Sequence, residues 1–221
     1  MLPIVTAVLA LCCLACAQAW QTIWISQQFL YLQSDLLHSQ QLAEAVLPTI
    51  VQDIMGTDAD VEANNLSTLR HSAGSEKQTH AFFPNSVQER STLQLRLGAN
   101  FCQAGICSPS TLNSLSATQW RTLVDQSMAI APNLLPYTKK TVRYWVEVWL
   151  NEATWNAASG ASPFIYRITV LVQDSVPQAN TPTSASSSAA LASGTLVLQT
   201  IWSRISASSP LGQWHSWKLL V

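Results

Sequence analysis

Ile4–Ala17, reading IVTAVLALCCLACA, contains one residue outside the apolar class, Thr6, and eleven consecutive apolar residues from Ala7 to Ala17. Trp20, Ile23, Trp24 and Ile25 come next, and no charged residue precedes Asp35. About 20 mainly apolar residues span the ~30 Å of a bilayer's hydrocarbon. Residues 1–25 reach that length, with Trp20, Trp24 and Phe29 placed as interfacial aromatics. A secretory signal competes for the same stretch, with Ala17-Gln18-Ala19 as a small-x-small cleavage site ahead of Trp20. It lacks the Lys/Arg that usually opens such a signal. A buried core helix is the third reading, and eleven unbroken apolar residues disfavour it.

The sequence downstream of Ala19 tips the balance towards a retained membrane helix. Between Trp20 and Met55 there is no glycine, and the only proline is Pro48. Leu32, Leu36, Ala43, Leu47, Ile50 and Ile54 recur at helical spacing, while Gln33, Ser34, Gln40, Gln41, Glu44 and Gln52 take the opposite face. Gly56 is a stop signal, and Pro48 is expected to kink the helix about one turn upstream. The chain therefore reads as one helix of ~50 residues, ~75 Å long. Its first half is apolar all round (1–25) and its second half is amphipathic (26–55). The stripe Leu32 to Ile54 is expected to pack on the remaining head, 56–221.

The head is patterned for strands. Thr92–Leu97 alternates, with Leu93, Leu95 and Leu97 against Gln94 and Arg96, and is expected to form a half-buried strand. Three further strands are expected at Thr141–Leu150, Phe164–Val172 and Thr195–Ile205. The first places Val142, Tyr144, Val146 and Val148 on one side and Arg143, Trp145, Glu147 and Trp149 on the other. A short helix is expected over Ala117–Met128, capped by Ser116, and a helical turn at Asp60–Leu66. Val176–Gly194, rich in Ser, Ala, Thr and Pro, is low-complexity loop. Phe101–Pro109 is expected as an exposed turn bracketed by Cys102 and Cys107. The fold class is α+β: a long N-terminal helix packed on a small antiparallel sheet with one hydrophobic face, which the helix covers. A Glu147–Arg167 cross-strand pair is expected at the surface, worth little.

Composition removes several functions. The 221 residues are 48% hydrophobic and 10% charged, with net charge −1, against roughly 25% charged in an ordinary soluble domain. That leaves no basic face for nucleic acid. Five cysteines divide into Cys12, Cys13 and Cys16 in the apolar segment and Cys102 with Cys107 beyond it. The last two suit a disulfide in an oxidising compartment, with free thiols as the alternative. His38, His71, His80 and His215 stand in unrelated contexts, and His38 is expected to be solvated. No metal-binding or nucleophile motif and no phosphate-binding glycine loop occurs, so neither enzyme nor cofactor or metal is expected. Asp58, Asp60 and Glu62 read as a solvated acidic turn rather than as ligands. Nine tryptophans invite carbohydrate binding, but strand packing and the membrane end account for most of them. Asn65-Leu66-Ser67 matches a glycosylation sequon.

Four stretches in order carry a resemblance: Leu42-Ala43-Glu44-Ala45-Val46-Leu47, Cys102-Gln103-Ala104-Gly105-Ile106-Cys107-Ser108-Pro109, Phe164-Ile165-Tyr166-Arg167-Ile168-Thr169, and Thr195 to Arg204 (TLVLQTIWSR). With the uncharged apolar start, they resemble a type IV pilin, and within that family a PilX-type minor pilin. Such proteins show an "AAE-AL" stretch, a "GLC"-like turn, a "YRIT" strand and a late "VLQS-Y-R" strand in that order. Residues 206–221 match no part of that pattern.

The resemblance implies a pilin-like fold, inner-membrane anchoring by Ile4, Val5, Val8, Leu9, Leu11 and Leu14, and a head in the periplasm and later on the pilus. It implies partners as well: other minor pilins, the major pilin, the inner-membrane assembly platform, prepilin peptidase and membrane lipid. It also implies that Met1 is the first mature residue after a charged leader is removed. Pilins carry glutamate at the fifth mature position, pairing with a neighbour's terminal amine in an apolar core. Here the position is Val5, which suits a tip or initiating subunit. A type II secretion pseudopilin is the nearest alternative. A soluble periplasmic or secreted binding protein, cleaved after Ala19, is the alternative from another class.

Overall fold

The computed structural model describes residues 2–56, 70, 80–98, 101–109, 117–135, 139–151, 162–174, 195–205 and 211–220. The chain divides into two compact units, Met1–Ser39 and Gln40–Val221.

The first unit is helix. α1 runs Leu2–Ala45, crossing the boundary between the units without a break. Pro3 lies in its first turn, where a missing N–H costs nothing. Thr6, Thr22 and Ser26 donate their hydroxyls to Pro3, Gln18 and Thr22 carbonyls at 2.8–2.9 Å, one turn back. These hydroxyls are therefore satisfied inside the helix and need no external partner. Leu2 to Ile25 rise roughly 36 Å at 1.5 Å per residue.

The second unit is the head. α1 gives way to α2, Leu47–Met55, at the single residue Val46, two residues before Pro48; its backbone stays in the right-handed helical region and its carbonyl accepts the Ile50 N–H at 3.1 Å. Gly56 ends α2 in the left-handed conformation, φ 68°, as the stop signal expected. Leu42, Ala43, Val46, Leu47, Ile50 and Ile54 are buried in one core cluster. Leu32 and Leu36, expected on the same stripe, are 69% and 41% exposed. Leu42 is the first apolar residue of α1 in that cluster.

Thr92–Leu97 is not a strand. It belongs to α3, Val87–Leu97, in which Leu93 and Leu97 are buried one turn apart while Leu95 is 83% exposed. Local capping decides the matter. The Ser86 hydroxyl accepts the Glu89 N–H at 3.2 Å, and the Glu89 carboxylate accepts the Asn85 N–H at 2.6 Å. Ser86-Val87-Gln88-Glu89 is thus a capping-box start, and it overrides an alternation three leucines long.

Among the described residues the sheet has seven strands, ordered β1 (Cys102–Gln103), β2 (Ile106–Cys107), β4 (Lys140–Leu150), β5 (Phe164–Asp174), β6 (Leu196–Arg204) and β7 (Gly212–Leu220), with β3 (Met128–Ala129) also paired to β4. β4 to β6 form the expected antiparallel meander, and β7 extends it by one unexpected antiparallel strand. The sheet as a whole is mixed, however, because β2 runs parallel to β4 with Ile106 opposite Val146. It also buries two faces rather than one. Val142, Tyr144, Val146, Val148, Tyr166, Ile168, Val170, Leu198 and Trp202 meet α2 and α3 residues on the first. On the second, Trp145, Leu171 and Val197 cluster with Leu123 of α4 (Ala117–Gln126) and with Cys102 and Cys107. Trp120 stacks edge-on against Trp145 at 5.7 Å.

β7 has no counterpart among the strands expected from the sequence. A register shift beside Trp202 brings Trp214 and Trp217 together, their rings 5.7 Å apart. Spacing of three between like-facing residues hides the strand from a period-two search. The turn at Asp60–Leu66, the acidic group Asp58, Asp60 and Glu62, the cap at Ser116 and the loop Val176–Gly194 lie outside the described residues, as does Met1.

Candidate functional site

The largest feature is the surface of α1 itself. Ile4, Val5, Leu9, Leu11 and Leu14 are all exposed, as are Trp20, Ile23, Trp24, Ile25, Phe29, Leu30 and Tyr31. Val8 lies in the same helix. Cys12, Cys13 and Cys16 are exposed free thiols. This helix is long and apolar enough to cross a membrane, with no Asp, Glu, Lys or Arg before Asp35. An exposed apolar surface of that extent is not tolerated in water and requires lipid or protein around it.

The cysteine-bracketed turn is built differently from the exposed loop expected of it. Cys102 and Cys107 form a disulfide and sit opposite each other as the ends of a hairpin. Both central residues have positive φ, 49° at Ala104 and 75° at Gly105, the conformation of a two-residue I′ turn. A Cβ on Gly105 would lie 3.0–3.3 Å from Met128 and the Tyr144 carbonyl oxygen, so glycine is required twice over. The Gly105 N–H donates to the Gln126 carbonyl at 2.7 Å, and its carbonyl accepts the Val146 N–H at 2.8 Å. The Gln103 side chain accepts the Ala81 N–H at 2.8 Å. Except at Phe101, which is exposed, the turn is tucked against the sheet as a clip joining α4, β4 and the Ala81 segment.

Among the described residues two charge clusters are buried; the first escapes sequence reasoning because it joins residues distant in sequence, and in the second the pairing is legible but its burial is not. Asp53 of α2 pairs with Arg70 at 2.9 Å and accepts the Tyr144 hydroxyl at 2.7 Å. Burial pushes the Tyr144 hydroxyl well above the usual tyrosine range, with Arg70 opposing and Asp53 reinforcing the shift. Arg70 also lies 5.2 Å over the Phe83 ring. The second cluster corrects the expectation of a weak surface pair. Glu147 is fully buried, pairs with Arg167 and accepts the Trp149 indole N–H at 3.3 Å, while Arg167 stacks on Trp149 at 5.0 Å.

Each cluster ties separate elements of the head together. Both fix helix to sheet or strand to strand, and their charges are neutralised internally. A shallow depression of about 470 Å³ is lined by Trp149, Asn151, Ile165, Arg167, Ile201 and His215 among others. His215 lies 2.5 Å from the Ser203 hydroxyl, but among the described residues no carboxylate bonds to that imidazole to orient it as a base. His38 and His80 are exposed. Among the described residues no three His, Cys, Asp or Glu side chains converge as metal ligands.

Comparison of the chain with protein-family models, with curated proteins and with solved structures gave no match.

Proposed function

We propose that the chain is a minor pilin of the PilX type, anchored in the inner membrane by the first half of α1 and assembled with other minor pilins to initiate a type IV pilus, ending at or near its tip. One observation carries the reading. A single unbroken helix exposes apolar residues from Ile4 to Leu37, then supplies Leu42 and Ala43 to the core of an α+β head clipped by a disulfide. The first half sits in lipid until the subunit is extracted, then packs against neighbouring helices. The same description fits a type II secretion pseudopilin, which works by the same helix packing.

The exposure of Trp20, Ile23, Trp24, Ile25 and Phe29 weighs against a soluble protein cleaved after Ala19. Such a protein would keep an apolar helix in water. Leu9→Asp tests the proposal. An aspartate at mid-span costs roughly 2.5–3.5 kcal/mol on insertion. The variant is expected to leave cells without pili, counted by electron microscopy beside the native chain expressed at equal level. Normal piliation with Leu9→Asp refutes the proposal.

A further inference from the structure

Among the described residues β7 is the last strand of the sheet and pairs along one edge. β6 holds the inner edge from Gly212 to Leu220. Among the described residues no strand meets the outer edge, which presents a row of backbone donors and acceptors. Proteins commonly blunt such edges by making them short, charged or proline-containing. The opposite border of this sheet conforms to that practice, since β1 is two residues long and tied back by the Cys102–Cys107 disulfide. β7 does not. It has nine residues, no proline and one Lys or Arg, Lys218, and beyond the shift near Trp202 its pairing is regular from Ser216 to Leu220.

The side chains sharpen the picture. Trp217 is 51% and Leu219 37% exposed, and strand alternation puts both on the face opposite Lys218. Lys218 is exposed and has no carboxylate in ion-pair range among the described residues. We infer that β7 accepts an extended segment of a partner protein as an added strand, with a carboxylate reaching Lys218 on one face and apolar side chains covering Trp217 and Leu219 on the other.

The unsatisfied groups define the occupant. Unpaired main chain at a strand's repeat is matched by another strand, not by a helix or a small molecule. A second copy of β7 fits poorly, because Gly212–Leu220 contains no acidic residue to meet Lys218. The open edge is independent of the pilus reading.

The test is hydrogen exchange on the full chain in detergent micelles, with two synthetic nine-residue peptides. One alternates threonine and valine around a central aspartate, and its twin carries lysine at the centre. The aspartate peptide is expected to slow exchange at alternate amides within Ser216–Leu220 and to bind roughly tenfold tighter than the lysine peptide at low salt. Lys218→Glu, an exposed change whose fold is checked by near-ultraviolet circular dichroism, is expected to reverse that preference. Three results overturn the inference: no amide of β7 slowed by either peptide, equal binding of the two, or concentration-dependent protection of β7 without peptide, which would mean that a second copy occupies the edge.

Discussion

Replacing Arg167 by methionine removes a guanidinium from a carboxylate that has no access to water. Glu147 is 0% exposed, and Arg167 holds it from the adjacent strand while stacking on Trp149 at 5.0 Å. Breaking one side of a buried ion pair costs about 3–5 kcal/mol, because the remaining charge stays buried without its counter-ion. The Trp149 indole N–H still donates to Glu147 at 3.3 Å, which places the cost at the lower end, about 3 kcal/mol. For a chain of this size that corresponds to a fall of about 6–12 °C in Tm. Glu147→Gln in the Arg167→Met background, where no charge remains to be stranded, is expected to regain most of the loss. The assay is urea unfolding of the full chain in detergent, monitored by tryptophan fluorescence, with the slope unchanged between variants. A cost below about 1 kcal/mol for Arg167→Met would mean a solvated pair of ordinary surface strength. Failure of Glu147→Gln to recover stability would likewise refute the reasoning.

Cys107→Ser opens the small loop closed by Cys102, and loop-closure entropy puts the expected loss at about 2 kcal/mol. Dithiothreitol should bring the native chain down to the variant's urea midpoint, and equal midpoints for the two chains without reductant would contradict this. Burial pushes the Tyr166 hydroxyl up to about 12, with Arg204 opposing the shift, against about 10 in the unfolded chain. The folded state therefore keeps a proton that the unfolded state loses. This contribution is intact below pH 10 and falls between about pH 10 and 12, by up to about 1.4 kcal/mol per pH unit. Tyr166→Phe should flatten the alkaline loss of stability, measured as urea midpoints at pH 9 and pH 11. An identical pH dependence in native and variant chains would contradict it.

The meander β4–β6 and the helix with its stop at Gly56 are legible in the sequence because each is specified locally, by period-two runs of β-branched and aromatic residues or by a long glycine-free stretch. The apolar character of α1 needs only composition. The amphipathic stripe is legible in its pattern but not in its partner. Periodicity says that Leu32, Leu36, Ala43 and Ile50 share a face, while only the fold reveals that Leu32 and Leu36 are exposed and Ala43 and Ile50 buried. α3 reads as a strand because three leucines at alternating positions fit a strand and a helix alike, and the decision lies in Ser86 and Glu89, outside the alternating run. β7 is hidden by its irregular register. The Asp53–Arg70–Tyr144 and Glu147–Arg167 clusters depend on burial, which depends on the second apolar face of the sheet. That face arises only when α4 and the disulfide hairpin cover Trp145 and Leu171. Long-range assembly of this kind leaves no local signature.

The most direct test of the pilin reading is the intact mass and N-terminal sequence of the native protein taken from the membrane fraction. The expected result is a chain that keeps Ile4–Ala17 and carries a methylated terminal amine, in agreement with processing by prepilin peptidase. A chain beginning at Trp20 and recovered in the soluble fraction would contradict it.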